Sequence, residues 1–97
     1  MIVEIQCLPT PSGTADDRYA HVHAAIEVIE RSGLAYEVGP LGTSVEGAPD
    51  DVWPLLRQVH EATLEAGASS AIAVIKVAEF RRDDAPTMGS LTDRYRS

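Results

Sequence analysis

The hydrophobic pattern in the first third of the chain predicts a strand followed by a helix. Residues Ile2–Leu8 are β-branched or apolar with two polar insertions, which is typical of a strand. After a turn-rich segment at Pro9–Gly13, apolar residues recur at helical steps of three and four: Tyr19, Val22, Ile26 and Ile29. Thr14 followed by Asp17 resembles a capping box, so we expect the helix to start there and to end near Ser32–Gly33.

The middle of the chain predicts a hairpin and a second helix. Two short apolar runs, Leu34–Val38 and Leu41–Glu46, flank a turn at Gly39–Pro40. Because Pro54 suits only the first turn of a helix, we expect the second helix to begin at Asp50 or Asp51, either of which can cap it. Its apolar stripe then runs to the stop at Gly67: Val52, Leu55, Leu56, Val59, Thr63 and Ala66.

A fourth strand and a tail complete the pattern. Ser70–Phe80 is a long run rich in β-branched residues. The element order β-α-β-β-α-β predicts an α+β fold, the ferredoxin-like two-layer sandwich with two helices on one face of a four-stranded antiparallel sheet. We therefore expect a ligand-binding domain over residues 1–80 and a C-terminal tail over 81–97, with a short helix around Leu91 or an extended arm.

Charge and cysteine content exclude several classes of partner. The chain of 97 residues has a formal net charge of −7, which disfavours nucleic acid and anionic membrane surfaces. The acidity lies in residues 1–80, with four basic and twelve acidic groups, whereas the tail has four arginines and three aspartates. A single cysteine forms no internal disulfide and no four-ligand zinc site. With no signal peptide or spanning segment in the sequence, we expect a soluble cytoplasmic protein.

Alternation along the strands predicts what the sheet face without helices carries. We call this the open face, and it combines aliphatic and polar side chains: Glu4, Gln6, Leu8, Ser44, Glu46, Ile72, Val74, Lys76 and Ala78. Contiguous exposed apolar surface usually marks an interface, so we expect a homo-oligomer with a polar pocket at or near that interface. The alternative is a solvated face on which Glu46 and Lys76 form an incidental ion pair.

Residues with catalytic or metal-binding potential do not form a recognisable enzyme motif. His21 and His23 point to different sides of one helix and cannot share an ion, so a half-exposed helix surface is the simpler interpretation. Cys7 faces the core, where a small inert side chain is usual. His60 lies beside the apolar stripe of the second helix. With no nucleophile-elbow or phosphate-loop pattern, we expect a protein that is not an enzyme and has no bound metal.

A resemblance to a known family begins at Pro40–Gly47, whose sequence is P-L-G-T-S-V-E-G. It continues in Val28–Glu37, in His60–Ala62, at Gly67–Ala68 and in Ile75–Val77. Over about residues 1–80 the chain resembles the thiamine-binding-protein family, also called YkoF-like. The tail departs from the family pattern because Asp83–Pro86 interrupts it.

The resemblance implies a ferredoxin-like fold, assembly into dimers or tetramers through the sheets, and binding of thiamine or its hydroxymethylpyrimidine moiety without catalysis or a required cofactor. It implies Thr43, Glu46 and Lys76 as ligand-binding residues, with Gln6 and Ser44 as neighbours. A thiazolium cation could also stack on Trp53 or Tyr36. Two alternatives are a ferredoxin-like isomerase or degradative enzyme and a structural or regulatory oligomer without a ligand.

Overall fold

The structure is a computed structural model that describes residues 1–96 of the chain. In chain order the elements are β1 (Ile2–Thr10), α1 (Ala20–Arg31), β2 (Ala35–Val38), β3 (Thr43–Glu46), α2 (Pro49–Glu65), β4 (Ser70–Ala78), α3 (Met88–Thr92) and a 3₁₀ turn (Asp93–Tyr95). Ser97, the last residue of the predicted tail segment 81–97, lies outside the described residues. None of the helices described is long and apolar enough to cross a membrane.

The four strands form one antiparallel sheet in the order β2-β3-β1-β4. β1 pairs with β4 along its whole length, from Ile2 opposite Ala78 to Thr10 opposite Ser70. Its pairing with β3 stops at Ile5 opposite Thr43. The predicted α+β ferredoxin-like class is confirmed, and the second half of β1 has no strand partner on the β3 side.

α1 and α2 cover one face of the sheet and build the core there. Val3, Ile5 and Val45 come from the strands and are at most 3% exposed. They meet buried residues of the two helices: Ala25, Ile29, Val52, Leu55, Leu56 and Val59. Because neighbouring strand residues point to opposite faces, Glu4, Ser44 and Glu46 lie on the open face, as predicted.

The predicted start of the first helix is wrong. α1 begins at Ala20, because the Thr14–Asp17 pair closes a turn of its own instead of opening the helix. Thr14 Oγ1 accepts from the Asp17 N–H at 3.1 Å, and the Thr14 N–H donates to the Asp17 carbonyl at 2.8 Å. The predicted end is confirmed, since Ser32 is the C-cap and Gly33 has a φ of 77°.

The second helix starts slightly earlier than predicted, and for a different reason. Its first residue is Pro49, where a missing N–H removes no hydrogen bond that the helix would otherwise make. Asp50 and Asp51 lie in the first turn, where their charge suits the helix dipole, but neither side chain caps the helix. Pro54 lies inside the helix and interrupts its hydrogen-bond ladder once.

The tail contains a short helix, one of the two forms considered for it, and it lies against part of the open face. The Met88 N–H donates to Glu46 Oε2 at 2.6 Å, and Arg96 pairs with Glu37 on β2. No residue between 81 and 96 is fully buried. Polar contacts therefore hold the tail, while apolar packing holds the two long helices.

Candidate ligand-binding site

A cavity of about 340 Å³ opens between α1, β1 and the loop that joins β2 to β3. We call it the helix-side cavity. Ile5, Ile29 and Val59 give it an apolar floor, and Val22 and Ile26 of α1 add an apolar wall. This volume lies near the lower end of the usual range for small-ligand sites, roughly 300–1,000 Å³.

Polar groups enter the helix-side cavity from β1 and from the start of β3. Gln6, Cys7 and Thr43 line it, together with the loop Gly39–Gly42. This is where the β1–β3 pairing has ended at Ile5, so the adjoining edge of β1 can offer main-chain donors and acceptors to a ligand. Strand pairing that stops short thus creates a polar wall next to an apolar floor.

Gly42 allows the loop to pass close to β1. A Cβ atom at this position would lie 3.2 Å from the Ile5 carbonyl oxygen and 3.2 Å from Glu4 Cγ. Both contacts are tighter than most that real Cβ atoms make. The glycine of the P-L-G-T sequence therefore lets the loop close one side of the cavity.

Two aromatic side chains form the rim of the helix-side cavity. The rings of Tyr19 and His23 lie 6.5 Å apart between centroids and are tilted by 55°. Asp17 lies beside both: its Oδ2 is 3.8 Å from His23 Nδ1, and its Oδ1 accepts from the Tyr19 N–H at 3.3 Å. The rim combines flat rings with a carboxylate, which suits an aromatic cation.

Cys7 lies on the polar wall, partly buried and packed against the core. Burial raises the pKa of its thiol above the ordinary value, because the thiolate would be poorly solvated there. A thiol that keeps its proton is a poor nucleophile and behaves as a small, weakly polar lining group.

A second cavity of about 300 Å³ lies on the opposite side of the sheet, under the tail. We call it the tail-side cavity. Ile2, Glu4 and Ser44 line it from the sheet, while Met88 and Leu91 line it from α3. Its carboxylates already have basic partners, since Glu4 pairs with Lys76 and Glu37 pairs with Arg96.

The structure does not bring the sequence-predicted site residues together. Gln6 and Thr43 line the helix-side cavity, whereas Ser44 lines the tail-side cavity. The carboxylate of Glu46 holds the tail through the Met88 N–H. Trp53 is 51% exposed at the start of α2 and lines neither cavity.

The ion pair considered between Glu46 and Lys76 does not form. Lys76 Nζ lies 3.4 Å from Glu4 Oε1, and Glu4 is directly opposite Lys76 in the β1–β4 ladder. β1 separates β3 from β4, so Glu46 is two strands away from Lys76. The lysine side chain is 78% exposed and does not line either cavity.

The histidines differ from their sequence interpretation in one respect. His21 is not half-exposed: it is 4% exposed, and its Nδ1 lies 2.7 Å from the Pro11 carbonyl oxygen. His23, two residues further along α1, lines the rim of the helix-side cavity instead. His60 lies on α2 outside both cavities. In residues 1–96 there is no cluster of three or more side chains suited to hold a metal ion.

Sequence reasoning missed the rim residues Tyr19 and His23. Their place depends on how the Pro11–Arg18 loop folds back, and no local pattern encodes that. The P-L-G-T sequence is the one sequence feature that indicates this site, because its loop forms a wall of the helix-side cavity.

Comparison with known proteins identifies the family to which this chain belongs. The profile of the family described as thiamine-binding protein matches residues 3–96. The match therefore extends through the tail, in contrast to the departure from the family pattern that Asp83–Pro86 suggests in the sequence. A UPF0045 protein of Clostridium perfringens is 34% identical over 95 residues, covering 97% of this chain and 95% of that protein.

Solved structures agree with the fold. A domain of unknown function (DUF77) from Bacillus cereus superposes with a TM-score of 0.79 at 31% identity, covering 99% of this chain and 91% of that one. A Thermotoga maritima protein, for which a role in thiamine biosynthesis or salvage has been proposed, superposes with a TM-score of 0.74 at 22% identity. That comparison covers 99% of this chain and all of the other.

Proposed function

Because this chain belongs to the thiamine-binding protein family, we propose that it binds thiamine or the hydroxymethylpyrimidine moiety of thiamine in the helix-side cavity, without transforming it. The observation that carries the proposal is the position of the loop in which the resemblance to the family begins. Gly39–Thr43, which contains the P-L-G-T sequence, forms one wall of that cavity. The same cavity has the apolar floor and small number of polar groups typical of small-ligand sites.

The polar wall suits an aminopyrimidine. Such a ring presents nitrogen acceptors and an amino donor, and it needs partners of both kinds when water is excluded. The Thr43 hydroxyl and the free main-chain edge of β1 at Gln6 and Cys7 supply donors and acceptors around the apolar floor. The ring would lie flat between Ile26 and the loop, with its amino edge toward β1.

The thiazolium ring of thiamine would then lie at the rim. Tyr19 and His23 offer flat faces there, and Asp17 supplies a nearby negative charge. The formal net charge of −7 also attracts a cationic ligand to the protein as a whole. We therefore place the neutral ring inside the cavity and the charged ring at its mouth.

The composition of the helix-side cavity favours binding over catalysis. Among residues 1–96, no carboxylate or lysine lines it, and the histidine that does, His23, stands at the rim beside Asp17. Burial raises the pKa of the Cys7 thiol, which makes this thiol a poor nucleophile. Glu46, which the resemblance implies as a ligand-binding residue, is engaged with the Met88 N–H on the other side of the sheet.

We also propose that the chain assembles through β4 and the adjoining open face. β4 is an edge strand with exposed aliphatic side chains on both faces, and Leu8, Ile72 and Val74 form an exposed apolar patch beyond the tail. Long apolar edges of this kind pair readily with another strand. A second copy would extend the sheet and cover the patch, in keeping with a cytoplasmic homodimer or homotetramer.

Isothermal titration calorimetry with thiamine and hydroxymethylpyrimidine tests the binding proposal. We expect saturable binding of both, and about tenfold weaker binding for Thr43→Val, because the variant loses one buried hydroxyl at constant volume. Ser44→Ala is the matched control: it removes the neighbouring hydroxyl on the opposite face and should leave binding unchanged. Absence of saturable binding for both ligands would refute the proposal.

Sedimentation velocity tests the assembly. A particle of two or four 10.4 kDa chains is expected for the wild type, and Ile72→Lys should shift it toward the monomer. Leu64→Lys makes the same kind of change at an exposed position on α2 and should leave the particle intact. A monomeric wild type at micromolar concentration contradicts the assembly, while leaving the binding proposal to be judged by calorimetry.

A further inference from the structure

We propose that the helix-side cavity selects the unphosphorylated ligand and discriminates against its phosphate esters. The inference rests on the proposed function and specifies which chemical form of the ligand the site accepts. Its basis is the arrangement of charges and N–H groups at the rim.

The first point is the carboxylate at the rim. Asp17 is held in place because its Oδ1 accepts from the Tyr19 N–H and its Oδ2 lies 3.8 Å from His23 Nδ1. Tyr19 and His23 both line the cavity, so the negative charge stands directly beside the opening. A phosphate at the same place would meet a like charge.

The second point concerns the N-terminus of α1, which begins at the rim. Helix N-termini often hold phosphates, because their first N–H groups lack partners within the helix. Here the Ala20 N–H donates to the Asp17 carbonyl at 3.2 Å, and the His21 N–H donates to the Ser12 carbonyl at 3.0 Å. The Tyr19 N–H is taken by the Asp17 side chain. The loop thus engages three N–H groups at this end of the helix, which leaves fewer donors for a phosphate.

The third point is the lack of a basic side chain in the cavity wall. Among residues 1–96, no lysine or arginine lines the helix-side cavity, although phosphate sites usually contain one. Arg31, Arg57 and Lys76 form ion pairs elsewhere in the fold. Arg18 precedes Tyr19 in the chain and is the basic residue nearest to the rim in sequence, so the test includes it.

The chemistry of the ligand connects these points. The ester oxygen of a thiamine phosphate is carried by the hydroxyethyl arm of the thiazolium ring, at the far end from the pyrimidine amino group. With the pyrimidine inside the cavity, the added phosphate comes to the mouth, next to Asp17. It adds negative charge where the protein already carries a carboxylate.

The experiment is a set of calorimetric titrations with thiamine, thiamine monophosphate and thiamine diphosphate at low and high salt. We expect thiamine to bind about tenfold more tightly than the diphosphate at low salt, with a smaller ratio at high salt because the repulsion is screened. Asp17→Asn should reduce the ratio by about threefold. Asp50→Asn, an equal loss of charge in the first turn of α2, should not change it.

The outcomes separate the two proposals. If thiamine and hydroxymethylpyrimidine do not bind, the proposed function fails. If thiamine binds and the diphosphate binds equally well or better, the proposed function stands and the inference is overturned. A loss of diphosphate affinity in Arg18→Ala that spares thiamine would also overturn it, since Arg18 would then be a phosphate receptor. The wild-type ratio decides the matter even if Asp17→Asn does not fold.

Discussion

The two faces of the sheet are covered in different ways. On the helix side, α1 and α2 bury Val3, Ile5 and Val45 almost completely. On the open face, residues 81–96 of the tail include no buried side chain, and the tail is held through Glu46 and Glu37. One face is closed by packing that only global unfolding removes, and the other by contacts that can open locally. A preformed binding site is therefore expected on the helix side.

The largest effect should come from the helix side. Ile29 of α1 is 1% exposed and forms part of the floor of the helix-side cavity, so Ile29→Ala should lower the free energy of unfolding by about 2–5 kcal/mol. Leu91→Ala removes an aliphatic side chain of similar size from the tail and should cost less than about 1 kcal/mol. Urea denaturation measures both, and similar losses would contradict the contrast between the faces.

A smaller and local effect is expected where the tail is anchored. Glu46→Ala removes the carboxylate that accepts from the Met88 N–H, and it should lower the stability of tail docking by about 1 kcal/mol. Hydrogen exchange at Met88 should accelerate severalfold while exchange in α2 stays unchanged. Glu65→Ala at the end of α2 is the control for loss of charge. Unchanged exchange at Met88 in Glu46→Ala would show that the anchor is not the carboxylate.

Ionisation of Cys7 should lower the stability of the fold at alkaline pH. Since burial raises the pKa of its thiol, the native state holds this proton more tightly than the unfolded chain does. The corresponding stability is fully present below the ordinary thiol pKa of 9.0 and is lost as the pH rises through the native value. Thermal melts of wild type and Cys7→Ala from pH 7 to pH 10.5 should therefore converge above pH 9. Parallel curves over that range would contradict the burial of the thiol.

The smallest effect is expected at the exposed ion pair of the open face. Lys76 and Glu4 are 78% and 45% exposed, so Lys76→Ala should change the free energy of unfolding by less than about 1 kcal/mol. Urea denaturation at two salt concentrations is the measurement. A loss above about 2 kcal/mol would mean that the pair is shielded from water, for instance in an assembly.

Most of the fold could be predicted from the sequence because periodicity reports directly on burial. The alternation in Thr43–Glu46 correctly separated Thr43 and Val45 from Ser44 and Glu46. The start of α1 could not be predicted in this way, because Thr14 and Asp17 satisfy a capping pattern while closing a separate turn. Local sequence does not determine whether a Thr–Asp pair caps the following helix or closes a turn before it.

The candidate site was predicted only in part, for a related reason. Gln6 and Thr43 were named and line the helix-side cavity, but Ser44, next in the chain to Thr43, lines the other one. Strand alternation sends the side chains of the P-L-G-T-S-V-E-G stretch to opposite faces, so the residues that the resemblance implies cannot all meet at one cavity. Tyr19 and His23 reach the rim through a loop whose path depends on tertiary contacts with Ser12 and Pro11.

The most direct test of the account is to map the amide shifts of isotope-labelled protein during titration with thiamine. Binding in the helix-side cavity predicts saturable shifts at Gln6, His23 and Leu41, with little change at Lys76 or at Met88, whose N–H reports on the tail-side contact. Shifts at Met88 and Lys76 that leave His23 unmoved would place the ligand on the open face and contradict the account.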